Sequence, residues 1–121
     1  MIISCLVVGL GGFLGAVSRM LLGKYFIIAL SPFWSICIIN CIGCFAFGFI
    51  AGLPGLLDDR IKDFLLVGFL GSFTTYSTYA FLNLRSLSSE VSMTIFFTQI
   101  LVQTFAGLLL LFLGLKAANY F

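Results

Sequence analysis

The chain has 121 residues, of which 62% are hydrophobic and only 8% are charged, and it contains no histidine. Charged residues usually make up about 25% of a water-soluble domain. This composition excludes an ordinary soluble domain and predicts a single integral membrane domain over residues 1–121. We expect it to lie in the lipid bilayer and to have no nucleic-acid partner.

Long uncharged runs separate the few charged residues of the chain. A helix needs about 20 apolar residues to cross about 30 Å of hydrocarbon. Pro32 and Pro54 bracket the second run, and a proline favours a helix start or a helix stop. The first run lacks the basic segment and the small-residue cleavage site of a signal peptide. The sequence therefore predicts an all-α bundle with four membrane spans, at residues 2–22, 33–53, 63–85 and 92–115.

The basic residues are evenly divided between the two sides of such a bundle. Four spans place both termini and the second loop on one side, with Arg60, Lys62 and Lys116. The other side carries Arg19, Lys24 and Arg85. Because the two sides carry equal numbers of basic residues, the positive-inside rule predicts no preferred orientation. The balance favours a chain that inserts in both orientations and forms an antiparallel dimer, although a weak orientation bias from other effects is the alternative.

The first span contains the sequence GLGGFLGAVSR, from Gly9 to Arg19. It differs in spacing from a dinucleotide-binding fingerprint and has no acidic residue about 20 positions later. The small-xxx-small pairs Gly11/Gly15 and Gly12/Ala16 favour close helix packing. Arg19 is expected either to extend to the membrane interface or to attract anions toward a pore.

The second span contains the sequence NCIGC at residues 40–44. A C-x-x-C pattern is compatible with thiol exchange, but that chemistry needs a thiolate with access to aqueous partners. Cys37, Cys41, Cys44 and Gly48 share one helical stripe of small residues, which favours packing. Asn40 needs polar partners at this depth. Its amide can either bond another helix or bind an anion through its NH₂ group.

The third span is the least lipid-like, because GFLGSFTTYSTYAFL (Gly68–Leu82) places hydroxyl groups and glycines in mid-bilayer. Thr74 lies midway between Asp63 and Arg85. We predict a broken helix with unwound carbonyls near residues 71–75, since such carbonyls occur at membrane depth only where protein or a cavity surrounds them. In an antiparallel dimer, carbonyls of both chains near Thr74 would meet at the two-fold axis and could bind a sodium-sized cation. A plain helix crossing is the alternative.

The fourth span carries a set of polar residues that either join helices or continue a polar track from the third span: Thr94, Thr98, Gln99, Gln103 and Thr104. All acidic residues lie at span ends, so apart from cysteine and tyrosine nothing titratable is buried. A proton-coupled carrier usually has a membrane-embedded carboxylate or histidine. The residues therefore favour a passive pathway for an anion.

Three blocks resemble those of the Fluc (CrcB-type) fluoride channels: GGFLGAVSR at Gly11–Arg19, NCIGCFAFG at Asn40–Gly48, and GFLGSFTTYSTY at Gly68–Tyr79. The resemblance implies a multi-pass protein of the bacterial inner membrane, not an enzyme, that exports fluoride passively to relieve its toxicity. It also implies an antiparallel, dual-topology homodimer with two pores and a central structural Na⁺.

The resemblance also assigns roles to individual residues. The Na⁺ would be held by carbonyls of Gly71 and Thr74 from each subunit. The fluoride pore would be formed by Asn40, Tyr76, Ser77, Thr78 and Tyr79, and Arg19 matches the arginine that closes the first block. The family usually has phenylalanine where this chain has Tyr76 and Tyr79. Their hydroxyls add donors and change the width of the pore.

Three rival functions remain open from the residues alone. A small multidrug-resistance transporter is also a four-span, dual-topology dimer, but it depends on a glutamate in the first span, which is absent here. A C-x-x-C membrane oxidoreductase would depend on Cys41 and Cys44. A non-transporting assembly subunit is the third.

Overall fold

A computed structural model describes residues 1–53, 55, 57–88 and 93–121, and four of its helical stretches are long and apolar enough to cross a membrane. These candidate spans are Ile2–Phe26, Pro32–Gly52, Asp59–Leu87 and Met93–Ala118. The predicted all-helical architecture with four membrane-capable spans is confirmed. Pro54 and residue 92, where the fourth span was predicted to begin, lie outside the described residues.

Three of the spans are single helices, which we label α1 (Ile2–Phe26), α2 (Pro32–Gly52) and α6 (Met93–Ala118). Helix α1 extends to Phe26, beyond the predicted end of the first span at residue 22, because a helix can continue past the hydrocarbon layer. Helix α2 begins at Pro32, whose missing N–H group has no intrahelical acceptor at that position in any case. 

The third span is made of four consecutive segments. They are α3 (Asp59–Lys62), a π-helical segment π1 (Asp63–Leu70), α4 (Gly71–Phe73) and α5 (Tyr76–Ser88). Asp58 starts α3, since its carboxylate accepts a bond from the Arg60 amide at 3.1 Å. Thr74 has extended backbone angles (φ −79°, ψ 154°), and Thr75 is also non-helical. The two threonines thus form a junction between α4 and α5.

Helix α1 packs against π1 through glycines. A Cβ atom at Gly11 would lie 3.1 Å from the Cα of Gly68, and one at Gly15 would lie 2.9 Å from the carbonyl carbon of Phe69. The first distance is tighter than nearly all real Cβ contacts and the second is shorter than real Cβ atoms show, so the two backbones are in direct contact. The predicted packing role of the Gly11/Gly15 pair is confirmed, as expected for a membrane interface built on small residues.

Helices α2 and α6 form a second close pair. Gly48 faces the backbone of Leu111, while Gly114 faces Phe45 and Phe49, with a Cβ on Gly114 only 2.7 Å from the Phe49 amide nitrogen. Cys44 lies on the same side, since a Cβ at Gly107 would be 3.5 Å from its sulfur. Of the small-residue stripe that the sequence predicts to pack, Cys44 and Gly48 therefore contact α6, while Cys37 packs in a buried cluster with Tyr79 of α5.

Two glycines of α1 give a matched test of this packing. Gly15→Ala should lower the free energy of unfolding by about 1 to 3 kcal/mol, because the added methyl group overpacks the contact with Phe69. Gly9→Ala is the control, since a Cβ there meets nothing within 4 Å. It should be neutral or slightly stabilising. Denaturation of both variants in detergent micelles, followed by circular dichroism, measures the difference, and equal stabilities would contradict the packing.

Candidate functional site

The junction at Thr74–Thr75 is held by a side chain from another helix. The amide of Asn40 on α2 donates from Nδ2 to the Thr75 carbonyl at 3.2 Å, and its Oδ1 accepts from the Thr75 amide at 2.9 Å. Asn40 and Thr75 are both buried. The interhelical role that the sequence left open for Asn40 is therefore observed. One of the two N–H bonds of its NH₂ group is used in this contact.

The Thr75 hydroxyl starts helix α5. Its Oγ1 accepts a bond from the Thr78 amide at 3.4 Å, which is the usual arrangement of an N-terminal cap. It also donates to Thr78 Oγ1 at 3.1 Å and lies 3.4 Å from Ser77 Oγ. The hydroxyls of Ser77 and Thr78, both predicted pore residues, are thus gathered around the cap of α5.

Backbone unwinding is narrower than the sequence predicts. Gly71 is helical, because its amide bonds to the Leu66 and Gly68 carbonyls, so the expectation of unwound backbone from residue 71 is wrong. The helical pattern ends instead at Thr74, whose amide and hydroxyl both donate to the Leu70 carbonyl, at 3.0 and 2.9 Å. Since the Thr75 amide bonds to Asn40, the Gly71 carbonyl loses the donor it would have in a continuous helix.

A cavity of 330 Å³, which we call the junction cavity, opens beside Thr74 and Thr75. It brings together three helical elements, α2, α5 and α6, around the junction. Its lining is neutral and mixes polar with apolar side chains: Asn40, Gly43, Cys44, Phe47, Thr74, Thr75, Tyr76, Tyr79, Gln103 and Leu111. Of the predicted site residues, Asn40, Thr74, Tyr76, Tyr79 and Gln103 therefore meet in one place. Gly71, Ser77 and Thr78 do not line this cavity.

Two tyrosine rings form one wall of the junction cavity. The centroids of Tyr76 and Tyr79 lie 5.8 Å apart with the rings tilted by 54°. Tyr76 is 80% exposed in the single chain, whereas Tyr79 is only 8% exposed and lies 6.4 Å from Phe33 by ring centroids. The outer tyrosine is thus open to a ligand, to lipid or to a second chain, and the inner one is fixed by packing.

The polar residues predicted on the fourth span are separated by the fold. Gln103 lines the junction cavity, and its Oε1 has no hydrogen-bond partner among the described residues. Gln99 accepts a bond from Ser86 at 3.4 Å. Thr94, Thr98 and Thr104 lie on exposed faces of α6, and the Thr98 hydroxyl donates to the Thr94 carbonyl at 2.7 Å. Half-buried Arg19 lies on α1 and does not line the junction cavity.

Sequence reasoning missed Asn83, a buried amide on α5. Only 3% of its surface is exposed; its Nδ2 donates to the Tyr79 carbonyl at 2.9 Å, and its Oδ1 has no partner among the described residues. The available signal was its spacing, because Asn83 stands one helical turn after Tyr79. Phe33, which contacts the Tyr79 ring, was also missed, and no sequence pattern singles it out.

The described residues contain no group of three or more histidine, cysteine, aspartate or glutamate side chains able to hold a metal. A cation at the junction would be bound by backbone carbonyls, whose oxygens are hard ligands. The hydroxyl, amide and aromatic groups of the junction cavity suit a small anion, since they offer hydrogen-bond donors and ring edges without a carboxylate.

The chain is similar to known proteins over most of its length. Residues 6–115 match the family model described as CrcB-like protein, Camphor Resistance (CrcB). A protein of Dichelobacter nodosus named fluoride-specific ion channel FluC is 40% identical over 114 residues, covering 91% of this chain and 92% of that channel. A channel of the same name from Dehalococcoides mccartyi is 36% identical over 115 residues, or 90% of this chain and 87% of that channel.

A third relative, the fluoride-specific ion channel FluC of Campylobacter jejuni, is 40% identical over 96 residues, which is 74% of this chain and 76% of that channel. The family resemblance of the three sequence blocks is thereby confirmed. With four membrane-capable helices and a family match over nearly its whole length, the chain is a multi-pass membrane protein of the CrcB-like family.

Proposed function

We propose that this chain is a passive, fluoride-selective ion channel that releases fluoride from the cytoplasm across the bacterial inner membrane and so relieves fluoride toxicity. The observation that carries the proposal is the junction cavity. Its uncharged donors and aromatic edges surround a helix junction that Asn40 holds in place. The names of the relatives, all fluoride-specific channels, support the same ion.

The lining of the junction cavity suits fluoride in particular. Fluoride is small and strongly hydrated, so a pore has to replace its water with closely spaced donors. The second N–H of Asn40 and the hydroxyls of Tyr76 and Tyr79 are such donors, and the positive edges of the two tyrosine rings add to them. Chloride is larger and more weakly hydrated. It would therefore gain less from these groups than fluoride does.

A channel is sufficient for export under this proposal. Fluoride enters cells as neutral HF and ionises inside, and the membrane potential then drives the anion out with about 2.3 kcal/mol per charge per 100 mV. The acidic residues that the structure describes are Asp58, Asp59 and Asp63, at the start of the third span, and none of them lines the junction cavity. Coupling to protons is therefore not part of the proposal.

The proposed assembly is an antiparallel, dual-topology homodimer with two pores and with the third span broken in mid-membrane. Equal numbers of basic residues at the two ends of the bundle support insertion in both orientations. The extended backbone at Thr74, midway along the third span, supports a break near the two-fold axis. In that arrangement each Thr74 lies close to its copy in the partner subunit.

A structural Na⁺ on that axis is the proposed cofactor, held by the Gly71 and Thr74 carbonyls of both subunits. The fit of these residues is supported by the junction itself. The Gly71 carbonyl lacks its regular helical donor because the Thr75 amide bonds to Asn40, and the Thr74 carbonyl belongs to a residue with extended backbone angles. Neutral carbonyl oxygens suit a monovalent hard cation at this depth.

Membership of a channel family removes two of the rival functions. The chain is a channel-family protein rather than an enzyme, so the Cys41/Cys44 oxidoreductase hypothesis is not retained, and neither is the small multidrug-resistance transporter. A non-transporting assembly subunit would share the fold but would release no ion. Direct measurement of transport separates it from a channel.

The test is anion efflux from liposomes that contain the purified protein. We expect fast, electrogenic fluoride release that depends on a potassium ionophore for charge balance, with little chloride release under the same gradient. Liposomes without protein are the control. Equal release of the two anions, release that needs a proton gradient, or no release at all would contradict the proposal.

The same preparation tests the proposed Na⁺. Purification and reconstitution with N-methylglucamine in place of Na⁺ should slow fluoride release or weaken the dimer, and restoring Na⁺ should reverse the effect. Unchanged release and unchanged dimerisation after complete Na⁺ removal would count against the Gly71/Thr74 ion while leaving the fluoride pathway intact.

A further inference from the structure

A second polar cavity lies beyond the inner tyrosine of the junction cavity. It has a volume of 300 Å³ and lies between the first residues of α2, the end of α5 and the first half of α6. Arg85, Ser86 and Gln99 supply its polar wall, and Phe33 lines it from α2. We call it the arginine cavity. Neither the composition nor the motifs of the sequence indicated it.

One pair of aromatic rings joins the two cavities. Tyr79 lines the junction cavity and Phe33 lines the arginine cavity, and their ring centroids are 6.4 Å apart. Both rings are more than nine-tenths buried. The linings of the two cavities are therefore in contact through these two buried rings.

A row of hydrogen bonds follows the same direction along α5. Asn83 donates to the Tyr79 carbonyl at 2.9 Å, and the single hydroxyl proton of Ser86 is shared between the Asn83 carbonyl at 2.7 Å and Gln99 Oε1 at 3.4 Å. The buried Oδ1 of Asn83 has no donor among the described residues. A buried acceptor of this kind usually bonds to water, so the row is consistent with a hydrated route.

The electrostatics of the arginine cavity favour an anion. Arg85 contributes a positive charge, and the structure gives it no ion pair within the described part of the chain. The cavity also adjoins Ser31, Pro32 and Phe33, the N-terminal end of the 21-residue helix α2, where the helix dipole is positive. The bond from Ser86 uses the amide oxygen of Gln99, so its NH₂ group remains to donate to an anion.

We propose that the arginine cavity is the second mouth of the ion path and that Arg85 concentrates small anions there. This inference rests on the proposed function and adds to it the place where the path meets the aqueous phase. A positively lined opening raises the local concentration of an anion and the rate at which it enters, and the effect is greatest when the ion is dilute.

Fluoride efflux at several concentrations tests Arg85. In Arg85→Gln we expect release at low fluoride to fall by about threefold or more, with a return toward the parent rate as fluoride approaches saturation. Arg85→Lys should keep most of the parent rate, since it keeps the charge. Lys116→Gln is the matched control, because Lys116 is a basic residue at the end of α6 that contacts the Phe112 ring and does not line the arginine cavity.

Chemical restoration of the charge separates attraction from folding. Arg85→Cys labelled with a cationic aminoethyl thiosulfonate should regain release at low fluoride, and labelling with an anionic sulfonatoethyl reagent should lower it further. The parent chain with its own cysteines, treated in the same way, gives the background. Two results would contradict the proposed role of the arginine cavity without contradicting the proposed function. They are equal release by Arg85→Gln and the parent at every concentration, and a uniform loss that the cationic label does not restore. A parent chain that releases no fluoride would overturn the proposed function as well.

Discussion

Replacing Asn40 with alanine is expected to abolish fluoride release and to destabilise the fold by about 2 to 5 kcal/mol, since two buried backbone groups lose their partners at about 1 to 3 kcal/mol each. These groups are the amide and the carbonyl of Thr75, which Asn40 binds at 2.9 and 3.2 Å. Without this clamp, Thr75 no longer holds its position as the cap of α5. The junction and the two tyrosines would then no longer line a common cavity.

The measurement pairs fluoride efflux with thermal unfolding in detergent. Ser35→Ala is the matched control, because Ser35 is a buried polar residue on the same helix whose hydroxyl bonds to the Ser31 carbonyl one turn before it. It should keep both stability and release. An Asn40→Ala protein that conducts at the parent rate would show that the clamp is dispensable, and an equal loss in Ser35→Ala would show that α2 tolerates no polar deletion.

Asn40→Asp separates the effects of the two hydrogen bonds that Asn40 makes with Thr75. A carboxylate can still accept from the Thr75 amide but cannot donate to the Thr75 carbonyl, and it places a negative charge beside the path of an anion. We therefore expect this variant to be more stable than Asn40→Ala but to conduct no better. Recovery of fluoride release together with stability would contradict a direct role of the Asn40 NH₂ group in the pore.

The general architecture could be predicted from the sequence because it depends on local patterns. Charge-free runs of about 20 residues determine where a chain can cross a bilayer, whatever their partners are. Small residues four apart at Gly11 and Gly15 mark a face that admits another backbone, and the structure places π1 there. The three blocks of family resemblance contain most of the residues that line the junction cavity.

The details that were wrong or missed depend on contacts between distant parts of the chain. The backbone was expected to unwind from Gly71, because the residues that follow it are weak helix formers. The helical pattern ends instead at Thr74, because Asn40, which lies 35 positions before Thr75, accepts a hydrogen bond from the Thr75 amide. The polar residues of α6 could not be ranked from the sequence, because only the position of α2 and α5 decides that Gln103 lines the junction cavity and Gln99 lines the arginine cavity. Asn83 differs, because its bond to the Tyr79 carbonyl is local, and only its burial depends on the packing around α5.

Gly43 is the second position at which a small change should have a large effect. It lies on α2 beside the junction, and a Cβ atom there would overlap the Thr74 methyl group and lie 3.3 Å from the Phe73 ring. Gly43→Ala should therefore displace Thr74 and disturb the carbonyls proposed for Na⁺. We expect fluoride release to fall by about tenfold or more, the factor that corresponds to about 1.4 kcal/mol, which is within the usual cost of overpacking.

The matched control is Gly107, another buried glycine, which lies on α6 and faces α2. A Cβ at Gly107 on α6 would lie 3.5 Å from the Cys44 sulfur, an ordinary contact distance, so Gly107→Ala should conduct nearly as well as the parent. If both alanine variants lose conduction equally, the space between α2 and α6 rather than the junction is the sensitive feature.

Adding the substitution Thr74→Ser to Gly43→Ala should restore fluoride release. Thr74→Ser removes the methyl group that the new Cβ would overlap, and it keeps the hydroxyl that donates to the Leu70 carbonyl at 2.9 Å. The double variant should recover much of its fluoride release and of its response to Na⁺, whereas Thr74→Ser alone should resemble the parent. Because the two residues are in contact, their effects should not add, and the double-mutant cycle measures the coupling directly. Additive losses in the cycle would show that Gly43 acts on conduction by some route other than the position of Thr74.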